Sequence, residues 1–352
     1  MLTKKRTLLP AFLATAAISL TACGSATQTA DLGDATNNDT SAVEAWEAPE
    51  GLSGELSYYS ANPQGLTDDL VEAFEAKTDV SVNVYADTTG KITARLKAEE
   101  ANPQADLVYL ASWDAATEQA DSGALAAYTP EGADAVHDGW ATSEFVGRDG
   151  SALALVINTN VIDSIPTDWQ DLTDPEYEDA VIMPDPRESG TAADLVTAMV
   201  ASQGEEATWE LFDALFDNGM IVQGANGPAL DTVTAGSKAV VFGGVDYSAY
   251  SAQADGEALE IVIPETGTTV TPRPLMILES SKNPEAAQAF ADFMFSVEGQ
   301  EISAQRNMIP GRTDVESQAG PEFSEINQLA TDWDEITSDS EDITTRFVDR
   351  YL

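Results

Sequence analysis

VIMPDPRESGTAADLVTAMV, residues 181–200, is the stretch from which the fold is read. Val181, Ile182 and Met183 form a short apolar run stopped by Pro184, which predicts a strand. A Pro-rich loop follows, and Ser189, Gly190 and Thr191 then open an amphipathic helix through Val200. The first turn of a helix has backbone N–H groups without intrahelical acceptors, and together with the helix dipole these favour an anion. Ser and Thr are also preferred as plain caps, so the stretch taken by itself is equally satisfied if Ser189 or Thr191 simply closes the helix start.

The same strand-loop-helix unit recurs on both sides. Upstream, Gly54–Ser60 predicts a strand, Leu66–Lys77 a helix with Leu66, Leu70, Val71 and Phe74 inward, and Val80–Tyr85 a second strand. Lys91–Glu100 then predicts a helix, and Ala105–Leu110 a third strand. Strands alternating with helices argue for an α/β fold on a parallel sheet, whose ligands gather at the carboxyl ends of the strands. The loops Ser60–Gly65 and Ala111–Asp114 then share one rim. Downstream come an apolar strand at Ser151–Asn158, a helix at Glu205–Asn218, strands at Met220–Gln223 and Ala239–Phe242, and returning strands at Leu259–Pro264 and Thr269–Leu278. Asn283–Ser296 is a patterned helix, and the acidic tail from Gly320 is expected to pack on the first domain. The expected division is 54–157 with 265–352 as one lobe and 158–264 as the other, with the first crossing at Ile157–Asn160.

A chain of 352 residues suffices for two such domains. Its start belongs to neither. Lys4, Lys5 and Arg6 precede an apolar run, Leu8–Leu20, too short to span a bilayer comfortably, and Leu20-Thr21-Ala22-Cys23 closes it. This is the layout of an export signal (1–22), and its last four residues match a bacterial lipobox with Cys23 as the acylated residue. Residues 23–53, poor in core-forming side chains, are expected to be the lipidated cysteine and a flexible tether. The protein is thereby placed on the outer face of a cell membrane, on the extracellular or periplasmic side. Cys23 is the single cysteine, which leaves none for a disulfide or a catalytic thiol. The charge of −45, from 61 acidic and 16 basic residues, makes nucleic acid and anionic lipid poor partners for the body.

With these elements in order, residues 54–315 resemble the type II solute-binding proteins of ABC importers, near the group that binds ferric iron, phosphonates, sugar phosphates and thiamine. The resemblance rests on Leu56–Ala61 and its following helix, on Ala105–Leu110, Met183–Leu195, Ile263–Gly267 and Pro310–Val315. Its most distinctive part is KNPEAAQAFADFMFSVEGQ, residues 282–300, a helix of Ala and Phe that ends in Ser-x-Glu-Gly-Gln. The resemblance implies two α/β lobes joined by two crossing strands and closing on a ligand, a monomer that delivers a small anionic solute to permease subunits, and no cofactor.

Ferric-binding members of the group use an early His, a Glu after the third strand and two adjacent tyrosines. Here the first loop offers Asn62 and Gln64, the Glu position falls near Ala111, and the tyrosine pair falls near Asp246 and Tyr247. Iron would thus rest on Asp246, Tyr247 and Tyr250 with a helping anion. Phosphonate and phosphate-ester members hold the anionic head on Ser-Gly-Thr at a helix start, which maps to Ser189, Gly190 and Thr191. Ser60, Asn62 and Ser112 would close over the ligand from the first lobe, and Asn226 is a further contact candidate. Asp246 and Tyr247 are either contacts, Asp246 to an amino group, or a turn acid and a packing residue. Trp113 either stacks on the ligand or packs on its own helix. Arg187 or Arg273 either adds charge to the anion site or is a surface or hinge residue. For an enzyme, the single histidine, His137, would have to anchor any triad or His-rich metal site, and it reads as a solvated residue in a helix-like acidic segment. No repeat points to an adhesin.

Overall fold

The computed structural model describes residues 45–330 and 332–352. The first strand β1 (Ser53–Ser60) leads through α1 (Gln64–Glu75) to β2 (Asp79–Ala86), and α2 (Thr89–Ala98) leads to β3 (Leu107–Tyr109) and α3 (Trp113–Asp121). β1 lies parallel between β2 and β3, as the alternating strands and helices require. Leu66, Leu70 and Phe74 form the buried stripe of α1. Phe74 meets Phe290 at 4.6 Å between ring centroids. Each such buried side chain contributes about 1.5–3 kcal/mol.

The next strand, β4 (Phe145–Asn158), is buried at every residue and joins two groups of strands. Beyond it come β5 (Val181–Met183), α4 (Gly190–Gln203), α5 (Glu205–Asp217), β6 (Ile221–Val222), α6 (Asn226–Thr234), β7 (Val240–Val245), α7 (Asp246–Ala254) and β8 (Leu259–Val262). The chain continues through β9 (Val270–Ile277), α8 (Pro284–Phe295), α9 (Val297–Gln305), β10 (Ile309–Pro310), α10 (Trp333–Ser338) and α11 (Ser340–Tyr351). The strand order is β2-β1-β3-β9-β4-β7-β5-β6, with β8 and β10 also on β4. From Phe145 to Ala152, β4 pairs antiparallel with β9. From Leu153 onward it pairs with β7, and from Leu155 also with β8. The exchange of partners therefore falls at Ala152–Leu153, before the expected crossing at Ile157–Asn160. The exchange falls where the polar part of β4, Arg148–Ser151, gives way to its apolar run.

The Ser-x-Glu-Gly-Gln signature has a packing cause. Ser296 caps α9 by accepting from the Gly299 amide at 3.1 Å. A Cβ on Gly299 would lie 2.2 Å from the Phe293 carbonyl oxygen, so no larger residue fits the turn between α8 and α9. Gln300, fully buried, donates to the carbonyls of Arg148 (2.8 Å) and Met294 (2.9 Å) and accepts from the Gly311 amide (2.7 Å). One side chain thus ties α9 to β4 and to the strand after it, and its polar atoms are paired as burial demands.

Two sequence expectations need correction. The tether was expected to run to residue 53, but Trp46 already packs on Phe74 and Phe293 with centroids at 5.7 and 5.4 Å, and its amide donates to Glu298. An indole offers enough apolar area to dock a segment that is otherwise polar. The tail from Gly320 is expected on the first domain, and Phe323 and Trp333 do meet His137 and Trp113 there, but α11 lies over α4 and α5. Phe347 is fully buried and meets Phe212 edge-on at 5.1 Å, Arg346 pairs with Glu205 and Arg350 with Asp213. The apolar face of α5 (Leu211, Phe212, Leu215) needed a cover, and Ile343 and Phe347 supply it. The export signal, Cys23 and the chain up to residue 44 lie outside the described residues. Among the described residues no helix is long and apolar enough to cross a membrane.

Candidate functional site

The start of α4 has the cap its sequence implies. Ser189 Oγ accepts from the Ala192 amide at 3.2 Å and donates to Asn226 Oδ1 at 2.9 Å, while Asn226 Nδ2 donates to Thr191 Oγ1 at 3.1 Å. The two hydroxyls lie 3.1 Å apart. Ser189, Thr191 and Asn226 therefore form a closed triangle that joins α4 to the first residue of α6. Gly190 faces the other group of strands: a Cβ placed on it would be 2.9 Å from Ser112 Cβ and 3.4 Å from the Ala111 carbonyl oxygen. Ser112 Oγ in turn caps α3 by accepting from the Ala115 amide. Two helix starts thus abut, and their dipoles bring partial positive charge to one place.

The same rim carries a buried cation. Arg273 on β9 is 1% exposed. It donates to the Ala61 carbonyl at 3.0 Å and to Asn62 Oδ1 at 3.3 Å, and stands 3.7 Å from Asp149. Its guanidinium lies 5.6 Å from the Tyr109 ring centroid and 5.5 Å from that of Tyr247. Burial lowers its pKa, but Tyr247, Tyr109 and Asp149 hold it above the ordinary guanidinium value. Arg273 Nε has no hydrogen-bond partner. Asp246, first residue of α7, is buried, and burial pushes its carboxyl up to about 7 against the pull of the Tyr247 and Ala152 amides.

Other candidates are drawn elsewhere. Ser60 Oγ is shared between Thr67 Oγ1 and the Asn62 amide, so it shapes the loop into α1. Trp113, 2% exposed, packs edge-on against Phe145 at 4.8 Å and meets Trp333, which settles it as a packing residue of its helix. Arg187 is held by Asp185 of its own loop at 2.9 Å. Tyr250 lies against Gly320, whose added Cβ would be 2.6 Å from the phenol oxygen, and burial pushes that phenol up to about 12. His137 is not solvated in a helix. It stacks on Phe323 at 3.8 Å with Trp140 edge-on, and burial lowers its pKa although the Pro310 carbonyl opposes this. Those rings line a surface groove of about 840 Å³ with Trp113 and Trp333, and no residue of α4 is in its lining.

Sequence reading named Arg273 but passed over the buried hydroxyls beside it. Thr269, Thr271 and Arg273 alternate with Val270 and Pro272 along β9, and Ser151 pairs with Thr271 across the ladder. Alternate residues share one face of a strand, so these hydroxyls point together. Asp194, one turn into α4 and 2% exposed, stands near Thr271. The signal was present in the polar alternation of a strand that is otherwise apolar. A buried polar face in such a strand lines either a network or a ligand.

A two-lobed α/β receptor with its polar groups gathered where two helix starts meet is the class these features define. The chain belongs to the bacterial extracellular solute-binding proteins, whose family model spans residues 102–339, and the fold is that of the type II periplasmic binding proteins that serve ABC importers. An uncharacterized protein of Haemophilus influenzae is 25% identical over 292 residues, 78% of this chain and 83% of the relative. Among solved structures, the periplasmic binding protein AfuA from Actinobacillus pleuropneumoniae, with exogenous fructose-6-phosphate bound, superposes with TM-score 0.78 at 23% identity over 85% of this chain and 99% of its own. Iron-bound HitA from Pseudomonas aeruginosa gives 0.74 at 23% identity over 83% of this chain and 98% of its own. Family and fold are those of binding proteins rather than enzymes.

Proposed function

We propose that this protein captures a small solute carrying a phosphonate or phosphate group and delivers it to the permease of an ABC importer. The observation that carries this reading is the α4 start, where Ser189, Thr191 and Asn226 are pre-set by mutual hydrogen bonds. Hydroxyls, an amide and first-turn N–H groups supply several donors to a tetrahedral oxyanion, and preorganisation reduces the entropy lost on binding. Arg273 adds a buried guanidinium on the same rim, its Nε facing Asp149 at 3.7 Å, beyond hydrogen-bond reach. Asn62, Asp246 and Tyr247 stand around it, and Ser112 abuts Gly190. The fructose-6-phosphate in AfuA is a ligand of the proposed class.

Ferric iron, the ligand of HitA, is served less well. Tyr250 is turned to Gly320 with a phenol that resists ionisation, and Fe(III) selects anionic oxygens. A lipid anchor on Cys23 would hold the receptor beside its permease, with two acyl chains giving stable attachment.

Native mass spectrometry of protein purified without refolding tests the ligand class. Retention of a small phosphorus compound supports the reading, and retention of iron with an anion refutes it. Ser189→Ala with Thr191→Ala is expected to weaken phosphonate binding by at least tenfold because two hydrogen bonds to a charged group are lost, while the chain still folds with an unfolding midpoint lowered by the loss of the Ser189 cap. Unchanged affinity would reduce the motif to a cap.

A further inference from the structure

The groove beside His137 has no part in the anion site: Ser189, Thr191, Asn226 and Arg273 are all outside its lining. Two aromatic groups wall it. In one, the His137 ring stacks on Phe323 at 3.8 Å and Trp140 stands edge-on to both. In the other, Trp113 meets Trp333 at 6.4 Å between centroids. The enclosed volume of about 840 Å³ falls within the range of about 300–1,000 Å³ usual for small-molecule sites. The wall formed by the tail is fixed in place. The Thr268 amide donates to the Asn327 carbonyl at 2.9 Å, the Leu329 amide donates to the Thr268 carbonyl at 2.8 Å, and Ile326 is buried in one cluster with Trp140. A site built this way loses little freedom when it is filled.

The chemistry of the lining favours one sign of charge. Its ionisable residues are His137, Asp138 and Asp332, and among the described residues that line it there is no Lys or Arg. Burial holds the His137 pKa below its ordinary value, so the ring is neutral at pH 7. Its Nε2 lies 3.0 Å from the Pro310 carbonyl, which can only accept, so Nε2 carries the proton and Nδ1 is an acceptor. Acids are common on the surface of this chain and would not single out a site by themselves. Here an exposed carboxylate, Asp138, borders a concave wall of aromatic rings, of which His137 and Phe323 are only half-buried. Ring faces attract cations, and aromatic walls with a carboxylate nearby suit an organic ammonium group. The chain's own tether cannot supply the charge, since residues 23–44 contain no Lys or Arg.

We propose that this groove is a second ligand site, separate from the anion site, which takes a small organic cation of the alkyl- or arylammonium class, with the aromatic rings as its walls and Asp138 as its countercharge. The proposal does not depend on the phosphorus assignment.

Tryptophan fluorescence reads the site directly, because Trp113, Trp140 and Trp333 line it. The soluble mature chain is titrated with benzyltrimethylammonium and, in parallel, with benzyl alcohol, which keeps the ring and lacks the charge. The cation is expected to give a saturable change and to bind about tenfold or more tighter than the alcohol. Asp138→Asn and Phe323→Leu should each weaken the cation by at least threefold, with unfolding midpoints checked to show that both variants are folded. Asp134→Asn removes an exposed acid of the same segment that is not in the lining, and should leave the affinity unchanged. Absence of a saturable response, equal binding of the alcohol, or no loss in Asp138→Asn would overturn the site. An equal loss in Asp134→Asn and Asp138→Asn would overturn it too, because the cation would then be following the acidic surface as a whole.

Discussion

Gly190→Ala tests whether the contact between the two helix starts belongs to the ligand-bound arrangement. The new methyl would sit 2.9 Å from Ser112 Cβ and 3.4 Å from the Ala111 carbonyl oxygen, against an ordinary carbon–carbon separation of about 3.5–4.0 Å. Neither neighbour is the free end of a long side chain: one is a Cβ held by its cap on α3, the other is backbone. Overpacking of this kind costs about 1–3 kcal/mol. When the lobes part, the methyl meets nothing across the cleft, and Ala is the better helix former by up to about 1 kcal/mol. The cost therefore falls on the closed state, and affinity should drop about 5- to 150-fold while the ligand-free unfolding midpoint holds or rises slightly. Titration calorimetry gives the affinity, and small-angle scattering of the saturated protein should report a larger radius of gyration than wild type. An affinity within twofold of wild type would refute the reasoning, because it would mean that this contact is absent when ligand is bound.

Two further outcomes are expected. The Asp246 carboxyl, raised by burial from 3.8 to about 7, holds a proton in the folded state that the unfolded chain releases. Its contribution to stability therefore falls as pH rises from about 4 to about 7 and is flat above. Asp246→Asn should gain on wild type in urea midpoint across that window, and a difference independent of pH would contradict the burial argument. Cys23→Ser should move the protein from the membrane fraction to the soluble fraction, and a wild-type protein that is already soluble in its exporting host would count against the anchor.

The periodicities legible along the chain are local ones. β5 occupies Val181–Met183 and α4 starts at Gly190 with Ser189 as its cap, because an apolar run stopped by proline and a hydroxyl before a helical stripe act within a few residues. The site was half legible for the same reason. Ser189 and Thr191 announce a helix start, but their bonding to Asn226 depends on α6 returning beside α4. Trp113 offered stacking and packing with equal force until Phe145 and Trp333 were seen to enclose it. His137 looked solvated because Glu131, Asp134 and Asp138 lie near it in sequence, whereas in space Trp140 and, from far along the chain, Phe323 pack on its ring.

What the sequence by itself determined are the features set by short-range chemistry: the alternation of strands and helices, the capped start of α4, the α8–α9 signature and the acid excess. Tertiary structure alone decided where β4 changes partners, what α11 covers, and which polar groups meet in the interior. Arg273 and Asp194 are the clearest cases. One lies on a strand and the other on a helix 79 residues earlier, and neither has a neighbour in sequence that hints at its role. Burial gives both their weight, because removing water strengthens every charge and leaves each polar atom in need of a partner that only the folded chain can bring.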